Sequence, residues 1–313
     1  MQRFFPLALL FVSSILFAQT ELAYLKKSDD QALIQTTLQP SSIIGLSERD
    51  TYILVASLEE GSLQLFENSN GTLIPKLEFP MSIGKEGFGK EIEGDKKTPV
   101  GVYRITSFLN DEQLDDFYGR AAYPLNYPNA WDLLQNRTGS GIWLHAMPEG
   151  VTSRPALDSD GCIVINNEQI EMLSPYLDVG RTRIVLTDKS DWLPTEQIQI
   201  QREELESHIK NWQEAWESLQ DQPYLAFYSD DYNNLKHDKA SWDKYKKRVN
   251  GSKKFIDVNI SDLAIFSYPG ADNLVMTEFY QSYVSNNYRS KGWKKQLWKK
   301  EGDSWKIIYE AGG

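Results

Sequence analysis

"GIWLHAMPEGVTSRPALDSDGCIVIN" runs from Gly141 to Asn166 and holds the chain's only cysteine, Cys162, and one of its three histidines, His145. "GIWLHAM" has the composition of a short strand. Asn166, with Gln169 three residues on, is an N-cap pattern, so a helix begins just past the cysteine. Taken alone, Cys162 has three readings: a small buried hydrophobe, one half of an intermolecular disulfide, or a working thiol. A thiol becomes a nucleophile when its proton is removed or its pKa falls, and histidine is the usual partner. His145 lies seventeen positions upstream, whereas His208 sits in a helical pattern and His237 in a polar stretch. Gly161 permits a tight turn before the cysteine, and such a turn can aim N–H groups at a developing oxyanion. Each residue also has a plainer reading. Gly161 serves a turn, His145 is an interior histidine, and Ser159 and Asp160 are loop polars.

Outward from this stretch, the chain divides. "MQRFFPLALLFVSSILFAQT" has a basic residue, a short apolar run and a small residue at Ala18, the pattern of a signal peptide over residues 1–18. The mature protein is therefore expected to be exported. Export also makes the single cysteine notable, because structural cysteines of exported proteins come in pairs. Residues 19–48 form a polar N-terminal segment. From Thr51 the pattern is strand-rich: "TYILVASLEE" and "SLQLFEN" alternate about Gly61, "NSNGT" is a turn, and "GDKKTPVGVYRITSF" feeds a further strand. "RTRIVLTD" ends this first domain, 49–190. Residues 191–202, with Pro194, are expected to be a linker. In 203–313, Leu205, Ile209, Trp212, Trp216 and Leu219 recur at helical spacing. Two shorter helices follow, then long strands from Phe255, an α+β pattern.

Composition excludes some classes. The 313 residues are 41% hydrophobic and 25% charged, with a net charge of -11, which argues against non-specific nucleic-acid binding. Three histidines and one cysteine make no ligand cluster, so neither a metal nor another cofactor is implied.

Two separated motifs, "GDKKTPVGVY" and "HAMPEGVTSRPALDSDGC", resemble those of the L,D-transpeptidase (YkuD) catalytic domain, over roughly residues 51–188. The resemblance implies a mostly β catalytic domain, a YkuD-like β-sandwich with short helices. It also implies a Cys162 nucleophile, a His145 base oriented by a backbone carbonyl at Ala146, and peptidoglycan stem peptides as substrate. Three positions depart from the family pattern. Ala146 stands where glycine is usual, Asp160 where histidine is frequent, and Val164 where many members have arginine. A carboxylate-binding arginine must then come from elsewhere, and Arg154 is the candidate, with Ser159 and Asp160 as further substrate contacts. These departures point to the YafK-like branch.

Residues 203–310 resemble the cone-shaped nuclear-transport-factor-like (NTF2-like, SnoaL-like) domain. In it "RSKGWKKQLWKK" interleaves Arg289, Lys291, Lys294 and Lys295 with Trp293 and Trp298. That stripe is either a glycan contact or, the reading preferred here, one solvated and one core face of a strand. The pairing of domains resembles that of cell-shape L,D-carboxypeptidases. The expected activity is therefore trimming of tetrapeptide stems to tripeptides. The alternatives are 3-3 cross-linking, release of wall-linked lipoprotein, or a non-catalytic wall-binding role. A homodimer is left open.

Overall fold

The computed structural model describes residues 37–312. The expected signal peptide and the first part of the 19–48 segment lie outside the described residues.

The first domain is built on two sheets. One has five strands in the order Thr72–Pro80, Ser62–Ser69, Tyr52–Ser57, Arg183–Thr187, Gly101–Arg104. Its first three strands are a meander. Gly61 turns one hairpin with φ 62°, and the Asn70–Gly71 pair turns the next with φ of 53° and 88°. Positive φ at both central residues is what a type I′ two-residue hairpin loop requires, and Asn-Gly supplies it at least cost. The second sheet has four short strands, Ile163–Val164, Trp143–His145, Ala121–Pro124 and Leu109–Asn110. Leu54, Ala56, Leu63 and Leu65 of the first sheet pack with Tyr123, Leu144 and Ile163 of the second in one core.

The strand "YILVAS" is buried along nearly its whole length. A strand with one wet face alternates, and a continuous apolar run marks one covered on both faces. The second cover is the C-terminal domain. Ile53, Val55, Phe66, Val102 and Val185 pack against Phe266, Tyr268, Leu274, Met276 and Leu297. An ion cluster closes the same boundary. Glu278 accepts from Arg183 at 2.7 Å, from Arg104 at 2.7 Å and from Lys295 at 2.8 Å, while Arg183 also pairs with Asp50. Burial alone would raise the Glu278 pKa, but Lys295, Arg183 and Arg104 hold it well below the usual carboxylate range. With an apolar core and a desolvated charge cluster behind it, this boundary is not a hinge.

The C-terminal domain wraps a five-stranded antiparallel sheet around helices. The sheet order is Ser304–Gly312, Arg289–Glu301, Leu274–Ser285, Ile256–Ser267, Ile43–Gly45. The last strand comes from the N-terminal segment, so residues 43–45 belong structurally to the distant domain. The expected linker at 191–202 is not one. Trp192–Pro194 is a strand, and a helix runs from Thr195 to Glu217. Pro194 sits at the N-cap of that helix, where no intrahelical N–H is needed, so the proline marks a start rather than a break. Leu205, Ile209, Trp212 and Trp216 are its buried stripe, as the spacing predicts, joined by Ile198, but Leu219 falls past the helix end with φ 60° and is half-buried. Among the described residues no helix is long and apolar enough to cross a membrane.

Candidate active site

Trp143–His145 pairs in parallel with Ile163–Val164, with Leu144 opposite Ile163 and His145 opposite Val164. One step back along the register sets Cys162 opposite Trp143. Side chains two apart share a face of a strand, so His145 and Cys162 project from the same side of the sheet. His145 is buried and Cys162 is half-buried. The sulfur is therefore not sealed in the core.

The imidazole is fixed from behind. Its Nδ1 lies 2.7 Å from the Ala146 carbonyl oxygen, the partner expected for it. Alanine provides that carbonyl without the positive φ that glycine allows, so the departure from the family pattern costs nothing here. Nδ1–H donating to Ala146 leaves Nε2 as the ring's acceptor. Burial pulls the His145 pKa down to about 4. The Ala146 and Tyr118 carbonyls oppose this, while the Arg154 charge adds to it. Burial pushes the Cys162 thiol up to about 11, against the Trp143 N–H and the Arg154 charge, with Asp160 raising it further. The thiol sits 3.5 Å from the Gly141 carbonyl, as a donor would. Both shifts favour the neutral imidazole and the neutral thiol.

The two sequence motifs meet at Gly161. Thr98, from "GDKKTPVGVY", is fully buried. Its hydroxyl accepts from the Gly84 N–H at 3.0 Å and donates to the Gly161 carbonyl at 3.0 Å. Gly161 has φ 125°, and a Cβ there would stand 2.8 Å from the Lys97 carbonyl oxygen. Both facts demand glycine. The Gly161 N–H donates to the Ser159 hydroxyl at 3.1 Å, and that hydroxyl donates to the Cys162 carbonyl at 2.7 Å. This corrects two expectations. Ser159 is buried and shapes the turn instead of contacting substrate, and the Gly161 N–H is occupied instead of waiting for an oxyanion.

The other two expected contacts differ from each other. Asp160 has a side chain 71% exposed and pairs with Lys85 at 3.3 Å, so it is an outward-facing charge. Arg154 is only 11% exposed. Its Nε donates to Asp158 at 3.0 Å and its Nη2 to the Asp158 carbonyl, which clamps the guanidinium. Its Nη1 is buried without a partner. Its charge is felt by both Cys162 and His145.

Sequence reasoning missed an aromatic wall. The Tyr118 ring lies 4.8 Å from that of Trp143 and 5.1 Å from that of His145, and Phe117 lies 6.2 Å from His145. Tyr118 is close enough to Cys162 for the two to influence each other's charge. Gly119 fixes this turn, since a Cβ there would meet the Met147 carbonyl at 2.2 Å. "DFYGR" carried a turn signal in Gly119, but nothing local says that its aromatics face the thiol.

A second recess, of about 720 Å³, opens in the C-terminal domain. Trp242, Tyr245, Tyr288 and Trp293 are among its walls, with Lys246, Lys294 and Glu310. The stripe 289–300 has no simple wet and core faces. Lys294 pairs with Glu310 at 2.6 Å in the recess, Lys295 reaches Glu278 at the domain boundary, and Trp298 is buried.

Residues 51–186 match the L,D-transpeptidase catalytic domain, and residues 204–311 match the Cds6 C-terminal NTF2-like domain. The solved structure of Bd1075 from Bdellovibrio bacteriovorus is 30% identical with a TM-score of 0.77, covering 88% of this chain and 98% of that one. The helical cell shape determining protein Pgp2 from Campylobacter jejuni is 25% identical with a TM-score of 0.74, covering 87% and 95%. No curated protein matches by sequence. The chain belongs to the L,D-transpeptidase (YkuD) family, in the form that carries a C-terminal NTF2-like domain.

Proposed function

We propose that the chain is a periplasmic L,D-carboxypeptidase that trims peptidoglycan tetrapeptide stems to tripeptides through a Cys162 thioester. The observation that carries this reading is the unpaired, buried Nη1 of Arg154, whose charge bears on both Cys162 and His145. A buried guanidinium with a free donor suits a carboxylate, and a tetrapeptide stem presents one on its terminal D-alanine. Likeness to a helical cell shape determining protein over most of both chains supports a role in wall remodelling.

The proposed reaction begins at the thiol. His145 Nε2 takes the thiol proton as sulfur attacks the carbonyl carbon of the third stem residue. The Cys162 N–H, carried by the nucleophile's own residue, is the proposed backbone donor to the developing oxyanion. The Ala146 and Tyr118 carbonyls favour the imidazolium so formed. On collapse, that imidazolium protonates the leaving amine and D-alanine departs. His145 then deprotonates water, which cleaves the thioester and restores the thiol. An amine in place of that water would give a 3-3 cross-link by the same first step. The C-terminal recess, with its aromatic walls, is proposed to hold the glycan that bears these stems.

The test is incubation of purified protein with disaccharide-tetrapeptide, read by mass. Tripeptide and free D-alanine without new dimers are expected. New 3-3 dimers would reassign the enzyme as a transpeptidase. Absence of products, with no covalent adduct after carbapenem exposure, would return the chain to a wall-binding protein.

A further inference from the structure

A cleft of about 260 Å³ opens where the two domains meet, and four of the chain's eleven arginines line it: Arg49, Arg104, Arg181 and Arg183. Two carboxylates share the wall, Asp50 and Asp178, and both are engaged. Asp50 accepts from Arg183 and from the Ser47 hydroxyl at 2.9 Å, and Asp178 pairs with Arg181 at 3.2 Å. Arg183, 6% exposed, spends its other donors on Glu278. Arg104 gives Glu278 its Nη2 alone, at 2.7 and 2.8 Å, which leaves Nε and Nη1 without a protein acceptor among the described residues. Arg49, with its side chain 54% exposed, reaches only Asp262, at 3.4 Å. An exposed pair of that kind contributes little. The lining therefore carries two more positive than negative charges, in a chain whose net charge is -11. A concave cationic site with spare donors focuses its field on an anion.

We infer that this cleft binds a phosphate monoester, with the carbon skeleton that bears it lying on Trp293. Guanidinium forks fit carboxylate and phosphate alike, but a carboxylate offers its lone pairs in one plane. Here the donors stand on three separate segments. Arg49 precedes the strand Tyr52–Ser57, Arg104 ends the strand Gly101–Arg104, and Arg181 lies in the turn before Arg183–Thr187. Donors from three segments suit the three terminal oxygens of a tetrahedral dianion. The volume lies below the usual range of small-molecule pockets, so the cleft takes a compact headgroup rather than a chain. Trp293 and Val179 supply its apolar side. By strand alternation Trp293 shares a face with Lys295, which reaches Glu278 at the domain boundary, whereas Lys294 between them turns to Glu310 in the C-terminal recess. Trp293 borders both spaces, but the arginines belong to the cleft alone. A soluble sugar phosphate and a lipid headgroup both carry this chemistry. The inference does not depend on the trimming reaction, since the cleft shares no residue with the thiol site.

The experiment is calorimetry on the full chain at low salt, with inorganic phosphate, glucose 1-phosphate, glucuronate and glucose as probes. Glucose 1-phosphate is expected to bind at least about tenfold tighter than glucuronate, the scale of one further charge-assisted hydrogen bond, and glucose not at all. Arg49→Gln combined with Arg181→Gln should lower the affinity for both phosphates at least about tenfold. Both side chains are more than half exposed, so the double variant keeps its fold, which a thermal melt checks. Asp178→Asn should act the other way and tighten binding several-fold, because it removes a negative charge from the wall. Trp293→Ala should weaken glucose 1-phosphate several-fold and leave inorganic phosphate unchanged. Equal binding of glucuronate and glucose 1-phosphate would overturn the inference. So would phosphate binding that survives the double arginine variant, or no binding of any probe. Parent affinity for glucose 1-phosphate in Trp293→Ala would overturn the place given to the carbon skeleton. Vesicles of phosphatidylcholine with and without phosphatidic acid separate the sources. Co-sedimentation that needs phosphatidic acid and is lost in the double variant marks a lipid headgroup, and binding of the soluble ester without co-sedimentation marks a sugar phosphate.

Discussion

The two recesses are made in opposite ways. In the catalytic domain, backbone groups do the positioning. The Ala146 carbonyl orients His145, the Gly161 carbonyl receives the Thr98 strut, and the Trp143 N–H favours the thiolate of Cys162. In the C-terminal domain, side chains build the walls, and Lys246 is held by rings from two helices and a connecting short one. Both sites hold a base whose proton affinity is lowered by burial, His145 to about 4 and Lys246 to about 7. His145 has carbonyl acceptors for its proton, whereas Lys246 is caged by π-faces with the Glu310 carboxylate nearby. A backbone-built site is organised before substrate arrives and suits covalent chemistry.

If that contrast is right, the largest effect belongs to the sulfur. Cys162→Ala should abolish tripeptide release, a loss of at least about a thousandfold, while the melting temperature stays within about 2 °C because the side chain is half-buried and small. Product mass and a thermal melt check both. Retained trimming would place the chemistry elsewhere. Next is Arg154→Met. Loss of one charge-assisted contact to the substrate carboxylate is worth roughly 1.5–3 kcal/mol, a fall of about ten- to a hundredfold in kcat/KM. The fall should be confined to stems ending in a free carboxylate. A stem with an amidated terminus should be a poor substrate for both proteins, by the same margin.

The same contrast explains what the sequence disclosed. His145, Cys162 and Gly161 lie within eighteen residues, and the strand-turn-strand between them is local, so their shared face follows from spacing and the register of one strand pair. Thr98 belonged to a quoted motif, yet only the fold shows that its hydroxyl braces Gly161. Ser159 was misjudged because a loop serine looks the same whether it faces solvent or caps a turn. Residues 43–45 were illegible as part of the C-terminal sheet, because a three-residue edge strand carries no periodic signal and its partner lies more than two hundred residues away. Residues 191–202 read as a linker because a proline alone does not say which side of it is helical. Lys246 was invisible as a buried cation. "ASWDKYKKRV" presents several lysines at helical spacing, and only the packing of Trp216 and Tyr224 against it picks out one.

Two smaller effects probe the backbone-built site itself. In the folded protein His145 titrates near 4, against about 6.5 unfolded, so the unfolded chain binds the extra proton between those values. Stability attributable to this ring is fully present above pH 6.5 and is lost as pH falls toward 4. The shift corresponds to roughly 3 kcal/mol at 1.36 kcal/mol per pKa unit. Denaturant melts across that window should show a slope that His145→Gln flattens, and kcat/KM should keep its acid limb near pH 4, not near 6.5.

Thr98→Val is the mildest test. It preserves shape but leaves the Gly84 N–H and the Gly161 carbonyl without their partner, at a cost of about 1–3 kcal/mol for the buried groups. Because the lost strut sits directly behind the cysteine, the carbapenem acylation rate should fall several-fold in the variant even at temperatures where it is fully folded. A valine chain that melts lower yet acylates at the parent rate would show that the turn holds its shape through Ser159 alone. In that case the meeting of the two motifs would serve stability and not the alignment of the sulfur.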